Sequence, residues 1–291
     1  MNDDGRPAFL TTREVADLLR VKERKVYDLV AADEIPHRRI TGKLLFPSAE
    51  IMAWVGGEPS VAGAERPAVL TGSHDPLLDW ALRDSGCGLA ALVNGSLGGL
   101  DLYAQGGAVA CGLHLPEEED GWNIATVAAR GLRDCVLIGW AARARGLILG
   151  AGVRDRVTGF ADLRGLRIAL RQPQAGTSAL FDRLCHEAGM TAADLTAAPG
   201  VARTESEAAI SVADGAADTA LGIEAMARRF GLDFLPLMQE RFDLLIDRRA
   251  YFTAPVQQLL AFARTDALTE KAAAMGGYDL SGLGTVRWLS P

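Results

Sequence analysis

The sequence predicts an α/β chain in two parts, a small helix-and-hairpin module at residues 1–57 and a larger domain at 68–291. Three observations predict it. Helical periodicity followed by a hairpin pattern fills the first part. A run of small, Gly- and Pro-bearing residues without periodicity, 58–67, breaks the composition and reads as a linker. Beyond it, short apolar runs alternate with helical patterns, which favours a mainly parallel sheet.

A chain of 291 residues is long for one domain and suits two. Hydrophobic residues at 49% and charged residues at 23% give enough apolar surface for a core and exclude extended disorder. The net charge of -7 excludes a chain-wide polyanion-binding surface. Residues 20–43 are locally basic all the same, with seven Lys/Arg against four Asp/Glu. Cys87, Cys111, Cys135 and Cys185 lie far apart without metal-ligand spacing, so they read as small buried side chains and no metal site is expected. The opening MNDDGRPAF lacks an apolar export segment, and Cys135–Trp140 is too short to span a bilayer. The expectation is a cytoplasmic protein that does not contact membrane.

In the first module, Thr11 and Glu14 fit a capping box ahead of a helix carrying Val15, Leu18 and Leu19 inward. A tight turn through Arg20-Val21-Lys22 leads to a second helix, 23–32, with Val26, Leu29 and Val30 inward. Ile35-Pro36 ends it. Residues 38–46 read as a hairpin turning near Thr41-Gly42-Lys43, and Ser48 is expected to cap a last helix, 49–55. Two helices joined this way have helix-turn-helix geometry, in which the second helix enters the major groove.

Over residues 8–56 the module resembles the excisionase/MerR-type winged helix-turn-helix, through Leu10–Ala16, Lys25-Val26-Tyr27, Ile35-Pro36, the wing, and Phe46-Pro47. The resemblance implies binding to double-stranded DNA. Lys22, Arg24, Lys25 and Tyr27 lie on or beside the second helix, where they would meet phosphates or base edges. Arg38, Arg39 and Lys43 on the wing would grip phosphates or a minor groove.

In the larger domain three turns each follow an apolar run and open a helix: Thr71-Gly72-Ser73-His74-Asp75, Asn94-Gly95-Ser96-Leu97-Gly98-Gly99, and Gln172–Ser178. Free N–H groups and hydroxyls at such turns bind anions, and in open α/β sheets these loops gather where ligands bind. Thr71, Ser73, His74, Asn94, Ser96, Thr177 and Ser178 are therefore candidate ligand contacts, with Glu224 after the strand Leu221-Gly222-Ile223 as a further one. Asp75 and Glu224 would repel a simple oxyanion unless they bind metal directly or face away.

Residues 68–291 resemble the type II periplasmic-binding-protein fold, in its molybdate-binding-protein-like form also found in molybdopterin-biosynthesis proteins. The turns, residues 101–115, Asp214–Ile223 and Glu240–Ile246 carry the likeness. It implies two α/β lobes joined by crossing strands, one from 68 to about 140 with the C-terminal stretch and the other about 150–250, closing around a ligand. It also implies molybdate or tungstate as an effector. No GxSxG elbow or Gx4GK[ST] loop is present, so catalysis and a resident cofactor are not expected. The reading is a ligand-responsive transcriptional regulator, expected to be a homodimer. The alternative is a cytoplasmic molybdate- or pterin-handling protein of molybdenum cofactor metabolism that does not bind DNA.

Overall fold

The computed structural model describes residues 7–32, 34–40, 42–55, 66–118 and 121–290. The linker expected at 58–67 lies outside these through residue 65, as does Thr41 of the expected hairpin turn. The chain divides into two compact units, Met1–Glu65 and Arg66–Pro291.

The first unit opens with β1 (Phe9–Leu10) and α1 (Thr12–Leu19). The capping box forms: Glu14 N donates to Thr11 Oγ1 at 3.3 Å and Thr11 N to Glu14 Oε2 at 2.7 Å. Arg20 then takes left-handed backbone, φ 55°, which reverses the chain within three residues and starts α2 (Glu23–Ala31). β2 (Arg38–Ile40) and β3 (Lys43–Pro47) form the hairpin, with Ile40 opposite Lys43, and α3 (Ser48–Val55) follows. Val15, Ala16, Val26, Ile35, Phe46 and Ile51 make the core. β1 pairs with β3 and completes a three-stranded sheet, order β1-β3-β2. Two residues are too few to show strand alternation in a sequence, which is why β1 was not expected. Ser48 also differs from expectation. It is the first helical residue, and its hydroxyl donates to the carbonyl of Pro7, fastening the start of the module to α3.

In the second unit the chain runs β4 (Val69–Gly72), α4 (Pro76–Asp84), β5 (Ala90–Val93), α5 (Ser96–Ala104), β6 (Ala110–Leu113) and α6 (Ile124–Ala129), building lobe one. β7 (Cys135–Leu149) leaves it for lobe two, which holds β8 (Arg167–Ala169), α7 (Gly176–Glu187), β9 (Thr196–Ala197), α8 (Glu205–Ala213), β10 (Thr219–Ile223) and α9 (Glu224–Arg229). β11 (Asp233–Asp247) crosses back. α10 (Ala254–Phe262), α11 (Asp266–Met275), β12 (Tyr278–Asp279) and β13 (Val286–Leu289) end the chain.

The sheet order is β5-β4-β6-β11-β7-β10-β8-β9, with β12 and β13 also on β7. Outer strands of each lobe are parallel, as the alternating pattern predicts, while β7 pairs antiparallel with β10, β11, β12 and β13. The sheet is thus mixed rather than mainly parallel, because a strand leaving a lobe and one returning must run in opposite directions. The return also comes earlier than expected. Phe242, Leu244, Ile246 and Ala250 pack with Leu70, Leu77 and Trp140 of lobe one, so lobe two ends within β11, before residue 250.

Candidate ligand site and nucleic-acid interface

The three turns converge. Ser73 and Ser96, at the heads of α4 and α5, are buried with their hydroxyl oxygens 2.7 Å apart, and His114 N donates to Ser96 Oγ at 3.2 Å. Asn94 Oδ1 accepts from Thr71 Oγ1 at 2.9 Å and Gly72 N at 3.3 Å, holding the first turn against the second. The third turn comes from the other lobe. Leu97 N donates to Gln174 O at 3.0 Å, so lobe one and lobe two touch through backbone. Glycine makes this approach possible. A Cβ on Gly95, whose φ is +85°, would stand 2.6 Å from Gln174 O, and one on Gly176 would stand 2.3 Å from His114 O.

Beneath the turns lies a buried charge network. Arg143 and Arg145 sit two apart on β7 and point to the same face, into the protein. Arg143 Nη1 donates to Asp75 Oδ2 at 2.9 Å and its Nη2 to Glu240, which stands directly opposite on β11. Arg145 Nη2 reaches the same Glu240 oxygen at 2.6 Å, and Arg145 donates to both oxygens of Glu205 at 3.1 Å, Nη1 to Oε2 and Nη2 to Oε1. Arg171 Nη1 lies 2.8 Å from Glu205, and Thr177 Oγ1 donates to Glu205 at 3.2 Å. Asp75 also caps α4 through Leu78 N at 2.7 Å and accepts from Trp140 Nε1 at 3.2 Å and Tyr278 OH at 2.8 Å. Both lobes and both crossing strands are therefore joined in one network.

Three arginines face three carboxylates, so the formal charges cancel. Burial pushes the Glu240 and Glu205 carboxyls up, but the arginines outweigh it and hold both well below the usual carboxylate range. Burial lowers the imidazole pKa of His114 despite the neighbouring Glu240, which favours neutral His114. An ionised Glu240 only accepts, so His114 Nδ1 carries the proton and donates to it at 3.1 Å. His74 is lowered by burial as well. Several buried atoms here have no hydrogen-bond partner: the Nε of Arg143, Arg145 and Arg171, Arg171 Nη1, His74 Nδ1 and His114 Nε2. The arginine Nε atoms can only donate.

Of the residues picked from sequence, Thr71, Ser73, Asn94, Ser96 and Thr177 fall within these contacts. His74 is half-buried beside them, and Ser178 lies one residue along α7, on a groove in lobe two. Glu224 is not among these contacts; it accepts from Arg228 on its own helix at 2.7 Å and packs against Gly277. Sequence reading missed Arg143, Arg145, Glu205 and Glu240 as a set. The available signal was two arginines inside the largely apolar stretch 135–149, since a charge in such a strand needs a buried partner.

In the small unit the candidate cations are placed differently. Lys22, Arg24, Lys25, Arg39 and Lys43 are exposed, and Tyr27 is 49% exposed although it lies on a core-forming helix. Among the described residues Arg38 alone of these cations pairs with a carboxylate, Glu50, at 2.8 Å.

A family profile described as "PBP superfamily domain" matches residues 79–264. The chain belongs to that family. A second profile, "Helix-turn-helix domain", matches residues 9–58. The chain carries a PBP superfamily domain behind an excisionase-like helix-turn-helix. It is 27% identical over 260 residues to the uncharacterized protein YvgK of Bacillus subtilis strain 168, covering 81% of this chain and 84% of that one. An uncharacterized protein from the 5′ region of a ferredoxin 2Fe-2S gene in Clostridium pasteurianum is 33% identical over 79 residues, 27% of this chain and 70% of that one. Among solved structures, a putative phosphate transporter substrate-binding protein with bound phosphate from Clostridium perfringens superposes with a TM-score of 0.50 at 11% identity. It covers 75% of this chain and 99% of that protein, and shows the fold of the PBP superfamily domain. No helix among the described residues is long and apolar enough to cross a membrane.

Proposed function

We propose that this chain is a ligand-responsive DNA-binding regulator, with an oxyanion such as molybdate or tungstate held between the lobes of its PBP superfamily domain. The observation that carries the ligand site is the meeting of Ser73, Ser96 and the Gln174–Thr177 turn across the lobes. The arginine charges are already neutralised by carboxylates, so a dianion would be held by hydroxyls and backbone N–H groups at helix starts rather than by a free cation. Thr71, Asn94 and His74 would shape the pocket. Asp75, tied to Arg143, Trp140 and Tyr278, is turned away from it and does not have to repel the anion.

DNA would be read by α2, through Lys22, Arg24, Lys25 and Tyr27, with Arg38, Arg39 and Lys43 on the wing. Their exposure supports this reading. Ligand would act by favouring one arrangement of the lobes. A homodimer is expected because one such module has a small footprint on DNA; sedimentation velocity checks it, and a monomer on DNA would remove it. The network is poorly suited to catalysis, since carboxylates held ionised this far down are neither acids nor effective bases near neutral pH. Calorimetry with molybdate, tungstate and sulfate tests the ligand. Saturable binding that is lost in Ser73→Ala with Thr177→Ala supports it, and absence of heat with all three removes the oxyanion.

A further inference from the structure

Lobe two contains a groove of about 600 Å³ on the face of α7, beside β8, β9 and the segment reaching Val201. Its floor is apolar and buried: Ala169, Phe181, Met190 and Leu221. This volume lies within the range of small-molecule sites, which are mostly apolar with a few convergent polar groups. The inner end supplies such a group. Arg171 lines the groove with its side chain 2% exposed. Its Nη1 lies 2.8 Å from Glu205 as an ion pair without an aligned hydrogen bond and its Nη2 donates to Arg203 O at 3.1 Å, while its Nε has no hydrogen-bond partner. A buried N–H donor of a guanidinium asks for an acceptor, and a charged acceptor is the strongest.

We propose that this groove is a second ligand site, apart from the Ser73–Ser96 contact, and that it takes a small molecule with an aromatic or branched aliphatic body and a single carboxylate. The body lies along Phe181, Met190 and Leu221, and the carboxylate accepts from Arg171 Nε. Thr177 Oγ1 is committed to Glu205 and lies at the same end. Asp182 at the exposed rim and Glu205 behind Arg171 disfavour a second negative charge, which selects monocarboxylates over dicarboxylates. Because the groove abuts the network through Arg171 and Thr177, its occupant would bear on the same salt bridges that join the lobes.

The test is calorimetry on the full chain with 4-phenylbutanoate, 4-phenylbutanamide and butanoate. The acid should bind saturably and at least about tenfold more tightly than either the amide, which lacks the charge, or butanoate, which lacks the ring. Val201 is 60% exposed at the mouth of the groove, so Val201→Glu should fold normally and weaken the acid by about tenfold through like-charge repulsion. Ser73→Ala should leave this affinity unchanged, which separates the groove from the oxyanion site. Equal binding of acid and amide, no saturable heat with the acid, or loss in Ser73→Ala with Val201→Glu unaffected would each overturn the second site.

Discussion

The cations proposed to read DNA and the cations of the network between the lobes are exposed to solvent in opposite degree. On the small unit, Lys22, Arg24, Lys25, Arg39 and Lys43 stand in water. Between the lobes, Arg143, Arg145 and Arg171 are buried and each faces a carboxylate. The difference follows from what each surface must do. Cations that meet a polyanion gain by releasing its counterions and are best left free until they do. Cations inside a protein cannot be left free, because an unpaired buried charge costs several kcal/mol. So the first set is left free for the outside partner proposed for it, while the second holds two lobes together.

The comparison breaks most visibly at Glu240. Glu240→Gln removes the carboxylate shared by Arg143 and Arg145 and should cost about 3–5 kcal/mol, read as a lower midpoint in urea unfolding of the second unit. A loss within measurement error would mean the arginines find water instead. Acid should act on the same groups. Glu205 and Glu240 have folded values below the unperturbed 4.5, so their contribution is present above that value and lost as pH falls below it. Thermal melts should show the wild type falling steeply there and Glu240→Gln less so; parallel curves would contradict the coupling.

Next comes closure. Gly95→Ala places a Cβ 2.6 Å from Gln174 O at a left-handed φ, and should cost about 1–3 kcal/mol of stability and weaken oxyanion binding. On the exposed side, Arg24→Ala with Arg38→Ala should leave the melting temperature nearly unchanged and reduce the slope of log affinity against log salt by about 1–2 on DNA. An unaltered slope would move the interface elsewhere. The smallest effect is expected for Thr11→Ala, which removes the capping box for about 1 kcal/mol.

The same contrast explains what could be read before the structure. Thr11 and Glu14 announce a helix start because both partners of the cap lie within four residues, and the turns at Ser73, Ser96 and Thr177 are likewise local patterns. The network was not local. Arg143 pairs with Asp75 and Glu240, 68 and 97 positions away, and no short window contains both members. Glu224 shows the local case, since a carboxylate at a strand end reads as a candidate site residue and its pairing partner Arg228 stands one turn along the same helix. Long strands also hid their extent: only Cys135–Trp140 of the fifteen residues of β7 reads as an apolar run, with nothing in the run to say that the strand crosses between lobes.

The central claim is that occupancy of the second unit is felt by the first on DNA. It is tested most directly by fluorescence anisotropy of the full chain on the DNA upstream of its own reading frame, with and without molybdate. A ligand-dependent change in affinity of about 5–150-fold, absent on a random duplex, is the predicted result. Superimposable isotherms with molybdate bound, or equal affinity for the random duplex, would contradict it.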